Sequence, residues 1–113
     1  RWMNIRLFQQ QVKALSQQLD TQTPERRVMY LVSELGEVVD EVIELTNLNP
    51  ATSQKSITEI KDRLGLEIYD LIWNAVDLAN MLEIDLDAAF KKKIEINKNR
   101  DWNRRNATDH QDK

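Results

Sequence analysis

The chain reads as all-α, of the four-helix-bundle type, on three observations. Its 113 residues include only two Gly and two Pro, so few tight turns interrupt it. Apolar residues recur at intervals of three and four over four long stretches, the spacing of one helical face. Polar, turn-forming segments separate those stretches.

The first helix is expected from about Trp2 to Leu19, with Ile5, Phe8, Val12, Leu15 and Leu19 on one stripe. The linker "DTQTP" follows. Thr23 then reads as an N-cap, because its hydroxyl can accept from an orphan backbone N–H, and Pro24 suits the first helical position, where no N–H is needed. The second helix runs to about Leu45. "TNLNPATSQKS" is the longest loop signal. The third helix is expected from Ser56 or Thr58 to Leu82. Asp85 is the expected N-cap of a fourth, from Leu86 to about Trp102. A single domain is expected over 1–105, with a polar, frayed tail over 106–113.

Composition narrows the function classes. Charged residues are 31% and apolar residues 41%, a globular balance. A net charge of −3 gives no general attraction to nucleic acid or to an anionic membrane. The absence of Cys excludes disulfides and thiolate chemistry. No secretory segment and no apolar run of roughly 18 residues is found, so the expected location is the cytoplasm.

The segment "SELGEVVDEVIEL" places Glu34, Glu37, Glu41 and Glu44 in one narrow sector of the second helix, opposite a wide apolar sector that includes Val28, Val32, Leu35 and Val39. Like charges at this spacing destabilise a helix by roughly 0.2–0.5 kcal/mol per pair. Alone, the stripe reads as a solvated acidic face. The third helix changes that reading. Glu67, Asp70, Asn74 and Asp77 repeat the offsets 0, 3, 7 and 10 of the first four acids. Apolar residues border them on both sides, from Leu66 and Ile68 to Met81 and Leu82. A helix apolar nearly all round is expected to be buried, and its acids with it. Unpaired buried carboxylates are costly. Two matching stripes facing each other across a divalent cation remove that cost.

Oxygen-only ligands suit Mg²⁺, with Mn²⁺ as a substitute. A di-iron site needs Glu-x-x-His on two helices, and the one His is His110, in the tail. Zn²⁺ lacks its usual His and Cys ligands. Mg²⁺ in such sites commonly also holds substrate phosphates. Lys93, Asn97 and Arg100 lie on one face of the fourth helix and could bind phosphate oxygens. Equally, they form a basic helix end that complements the helix dipole.

The pattern Glu34-Leu-Gly-Glu37, then Glu67-Ile-Tyr-Asp70, resembles the signature of the MazG-like, all-α nucleotide pyrophosphohydrolases. "TPERRVMYLVSELGEV" is similar to the approach to the first motif in their deoxycytidine-triphosphatase-like branch. "LGLEIYDLIWNAVDLANMLEIDL" resembles the third helix and following turn. Lys93-x-x-x-Asn97-x-x-Arg100 resembles the phosphate-side motif. The likeness spans about 23–102. Ser33 stands where relatives often have Glu, Gln22 where some have a base-contacting His, and the gap between the acidic motifs is long.

The resemblance implies hydrolysis of a nucleoside triphosphate between the α and β phosphates, giving a monophosphate and pyrophosphate, as in house-cleaning of the nucleotide pool. It implies that Glu34, Glu37, Glu67 and Asp70 hold Mg²⁺. Glu37 and Glu41 are candidates for the general base, and Lys93, Asn97 and Arg100 for phosphate contacts. Trp73, or else Phe8 or Trp2, could stack on a base; core packing is the competing role for each. Asn74 and Asp77 could bind a sugar or base edge, or pair with another subunit. The cover the third helix needs exceeds what four short helices supply, so a homodimer or a homotetramer (dimer of dimers) is expected. Two alternatives share parts of this reading: a phosphoribosyl-ATP pyrophosphohydrolase-like enzyme, and a non-enzymatic helical interaction module.

Overall fold

The computed structural model describes residues 3–19 and 22–108, with side chains as far as residue 100. These residues form four helices and no strand: α1 (Ile5–Ser16), α2 (Pro24–Thr46), α3 (Gln54–Met81) and α4 (Leu86–Thr108).

Local chemistry sets the helix starts. Asn4 Oδ1 accepts from Leu7 N at 2.8 Å, so α1 begins at Ile5 rather than near Trp2, a residue outside those described, as are Asp20 and Thr21 of the linker. Thr23 caps α2 as expected, its Oγ1 accepting from Arg26 N at 3.1 Å with Pro24 next. Ser53 caps α3 through Ser56 N at 3.1 Å, which starts that helix at Gln54, ahead of the expected Ser56 or Thr58. Asp85 Oδ1 accepts from Asp87 N and Ala88 N and opens α4. Nothing breaks α4 at Trp102, and it continues to Thr108, into the expected tail; His110 lies outside the described residues.

The turn after α3 is pinned from two sides. Glu83 takes a left-handed backbone, φ 56°. Ile84 N then reaches Ala79 O at 2.8 Å and Glu83 N reaches Asn80 O at 3.1 Å, the paired bonds of a Schellman ending. Gln9 of α1 clamps the same turn: its Nε2 donates to Ile84 O at 2.7 Å and its Oε1 accepts from Leu86 N at 3.1 Å. Arg6 and Lys91 both pair with Asp87 in the first turn of α4.

α2 and α3 form an antiparallel hairpin. Its rungs are legible in the polar contacts: Arg27 against Asn74 and Asp77, Glu34 against Glu67 and Asp70, and Glu41 and Glu44 against Arg63. α1 lies across the C-terminal half of α3, with Phe8 packed edge-on against Tyr69, ring centroids 6.0 Å apart. Among the described residues the buried apolar set is small: Val12, Ile60, Val76 and Ala79.

Within one chain α3 lacks the cover that its apolar pattern calls for. Leu66 is 69% exposed, and Ile68, Tyr69 and Ile72 are also exposed. The apolar sector of α2 is open as well, with Val32 65% exposed beside Val28, Leu35 and Val39. The hairpin turns its acids inward and much of its apolar surface outward. The reason is geometric: α3 meets α2 at the edge between the acidic and apolar stripes, so one contact cannot bury both. The radius of gyration is 18.5 Å, against about 13 Å for a compact chain of this length.

Candidate metal and phosphate site in the hairpin seam

Glu34 of α2 and Glu67 and Asp70 of α3 each offer a carboxylate oxygen, and these three atoms lie within 4.8 Å of one another. Glu34 and Glu67 are half-buried, while Asp70 opens to solvent. One oxygen of Glu34 and one of Glu67 are enclosed without a hydrogen-bond partner. Glu37, expected as a fourth ligand, is exposed and stands outside this three-carboxylate cluster, one helical turn from Glu34.

This crowding distorts the titration of the group. Glu67 is pushed up to about 7, first by the hydrogen bond it shares with Glu37, then by burial and by the charges of Glu37, Glu34 and Asp70. Glu34 is also raised, first by burial, then by the charges of Glu37 and Asp70, against a hydrogen bond with Glu67 that lowers it. Below about pH 7, and without a cation, Glu67 would hold a proton in place of one negative charge. The donor set fits a hard divalent ion. Glu34, Glu67 and Asp70 would hold Mg²⁺ through carboxylate oxygens, two of the group's oxygens being enclosed and otherwise unsatisfied.

The seam continues on either side. Toward the loop, Arg63 Nη2 stands 3.2 Å from Glu41 Oε1 and 3.1 Å from Glu44 Oε1, and its Nε lies 3.3 Å from both oxygens of Glu41. Glu41 is thus held by Arg63 and stands outside the three-carboxylate cluster. Toward the helix ends, Arg27 Nη1 donates to Asn74 Oδ1 at 2.6 Å, and Asn74 Nδ2 donates to Asp70 O at 2.8 Å. Arg27 Nε stands 3.0 Å from Asp77 Oδ2, whose side chain is 2% exposed. Neither atom has a hydrogen-bond partner, so the pair is a charge contact with the N–H off line. The Arg27 guanidinium also lies over Tyr30 and Trp73, at 5.5 and 5.6 Å from the ring centroids.

Asp77 therefore finds a charge partner, Arg27, within its own chain, and both amide ends of Asn74 are engaged there too. Phe8 packs on Tyr69. Lys93, Asn97 and Arg100 all project from exposed α4, which packs against α1 and not along the hairpin. Within one chain they are not drawn to the carboxylates. Arg27 and Arg63 were missed by sequence reasoning that followed only the acids. Their register was available: Arg27 precedes Glu34 by seven residues and Arg63 precedes Glu67 by four, both stripe positions.

The described residues thus define an all-α protein with a cluster of carboxylates, Glu34, Glu67 and Asp70, between two antiparallel helices. Residues 22–104 match the MazG nucleotide pyrophosphohydrolase domain, and the chain belongs to that family. It is therefore a pyrophosphohydrolase acting on nucleotides, of a family that typically uses a divalent metal, and the reading as a non-enzymatic interaction module is set aside. Neither the comparison with curated proteins nor that with solved structures found a match. No helix among the described residues is long and apolar enough to cross a membrane.

Proposed function

We propose that this protein hydrolyses nucleoside triphosphates, with a deoxynucleotide preferred, to the monophosphate and pyrophosphate, clearing unwanted nucleotides in the cytoplasm. The observation that carries the reading is the convergence of Glu34, Glu67 and Asp70 within 4.8 Å, with two enclosed and unsatisfied oxygens. Those three and Glu37 would hold Mg²⁺. When bound, Mg²⁺ supplies positive charge against the triphosphate and acidifies a water.

The chain's own residues do the rest. Water adds across the anhydride: its oxygen bonds to phosphorus, the bridging P–O bond between the α and β phosphates breaks, and the proton passes to a carboxylate. Glu37 is the better acceptor of the two candidates, because Arg63 engages both oxygens of Glu41. Asn74 and Trp73 sit at the nucleoside end of the seam, where Trp73 offers an aromatic wall beside Arg27. Lys93, Asn97 and Arg100 contact phosphates only if α4, from the same or a neighbouring protomer, closes over the seam. A homodimer or homotetramer would also cover the open apolar faces of α2 and α3.

The test is pyrophosphate release from a panel of ribo- and deoxynucleoside triphosphates, with Mg²⁺ and with EDTA. Mg²⁺-dependent pyrophosphate matched by monophosphate is expected, and Glu37→Gln should lower it at least 100-fold with helical CD unchanged. No turnover of any triphosphate, with turnover of phosphoribosyl-ATP, would move the substrate elsewhere.

A further inference from the structure

We propose that Arg63 contacts the pyrophosphate end of the substrate, so that a triphosphate lies along the seam with its terminal phosphates toward the α2–α3 loop and its nucleoside toward Trp73. The proposal rests on reading the seam as a triphosphate site. It assigns a role to a residue outside the acidic and α4 motifs.

Arg63 precedes Glu67 by four residues, which puts it one helical turn away on the same face. Its side chain is 48% exposed. It is anchored by Glu41 and Glu44 through Nε and Nη2, while its Nη1 has no partner among the described residues. The pair with Glu44, 54% exposed, is weak, so a more highly charged anion can displace Glu44 from the guanidinium while Glu41 stays bound. The planar fork also suits phosphate oxygens.

The other cations of the hairpin are poorly placed. Arg27 is buried and committed to Asn74 and Asp77. Lys61 sits two residues from Arg63 and so points away from the seam. Arg26 and Lys55 stand eight and twelve residues from the nearest cluster acid on their own helix, about 12 and 18 Å along the axis. The polarity of the seam follows from its two flanks. On the loop side of the carboxylates there is an accessible guanidinium. On the other side there are Trp73, Tyr30 and a cation already neutralised by Asp77.

The test is titration of inorganic pyrophosphate into the full chain at fixed Mg²⁺, by calorimetry, for wild type, Arg63→Ala, Arg63→Lys and the double variant Arg63→Ala with Glu44→Gln. The double variant restores the local charge that Arg63→Ala alone makes more negative. Contact predicts at least tenfold weaker binding in Arg63→Ala, a partial loss in Arg63→Lys, and no recovery in the double variant. Wild-type affinity in the double variant would mean that Arg63 only neutralises its acids, and would overturn the proposal. So would unchanged affinity in Arg63→Ala, or a wild-type protein that binds no pyrophosphate. If no triphosphate is turned over, the catalytic reading fails by itself, and this titration still decides the role of Arg63.

Discussion

Asp77 is the residue on which the hairpin's end most depends. Its side chain is 2% exposed and, among the described residues, its charge is met only by Arg27, itself buried. Removing one partner leaves the other as an uncompensated buried charge, at a cost of about 3–5 kcal/mol, whereas replacing both by apolar groups of similar size is close to neutral. Asp77→Ala should therefore lower thermal stability sharply, and Arg27→Met with Asp77→Leu should recover most of it. A loss under 1 kcal/mol in Asp77→Ala would show that water reaches the pair. Glu83 is a second telling residue. At φ 56° it occupies a position that suits Gly. Relief of the left-handed strain outweighs the extra freedom of Gly in the unfolded chain, so Glu83→Gly should stabilise the protein by about 0.5–1 kcal/mol. A lower melting temperature in that variant would contradict this account of the turn.

At the scale of the element, the α2–α3 seam makes stability depend on pH and metal together. The carboxyl of Glu67 is held up at about 7, first by its hydrogen bond with Glu37, from an ordinary value of 4.5. Between those two values the folded chain holds a proton that the unfolded chain has released. Stability of the metal-free protein should thus fall as pH rises from about 4.5 through 7. Mg²⁺ competes with that proton, so it should raise the melting temperature more at pH 7.5 than at pH 5.5. Melting curves with and without Mg²⁺ at the two pH values check both signs, and an Mg²⁺ effect independent of pH would exclude proton competition at Glu67.

At the scale of the molecule, one chain has more apolar surface than it can hide. Val32, Leu35, Val39, Leu66, Ile68 and Ile72 stay exposed, and α4 shows no described side chain buried along its length. An isolated helix of this kind is marginal in water. Sedimentation should report a mass of two or four times 13.3 kDa at micromolar concentration. Val32→Asp would be nearly silent on a true monomer. In the proposed oligomer it should shift the mass toward 13.3 kDa and lower the melting temperature together. A wild-type mass near 13.3 kDa would leave the open faces unexplained.

The helices and the acidic register were fixed by local chemistry. Period, caps at Thr23 and Asp85, and the matched offsets of Glu34-x-x-Glu37 and Glu67-x-x-Asp70 each depend on residues within a few positions of one another, so they can be read along the chain. What could not be read depends on which edge of α2 meets α3. That contact turned the carboxylates toward each other, put Arg27 on Asp77 and Arg63 on Glu41, and left the apolar stripes outside. It joins residues 19 to 50 positions apart, through side chains whose orientation only the packed hairpin sets. The same limit applies to Lys93, Asn97 and Arg100. Their spacing shows that they share a face, and only the folded chain shows that this face leads away from the seam.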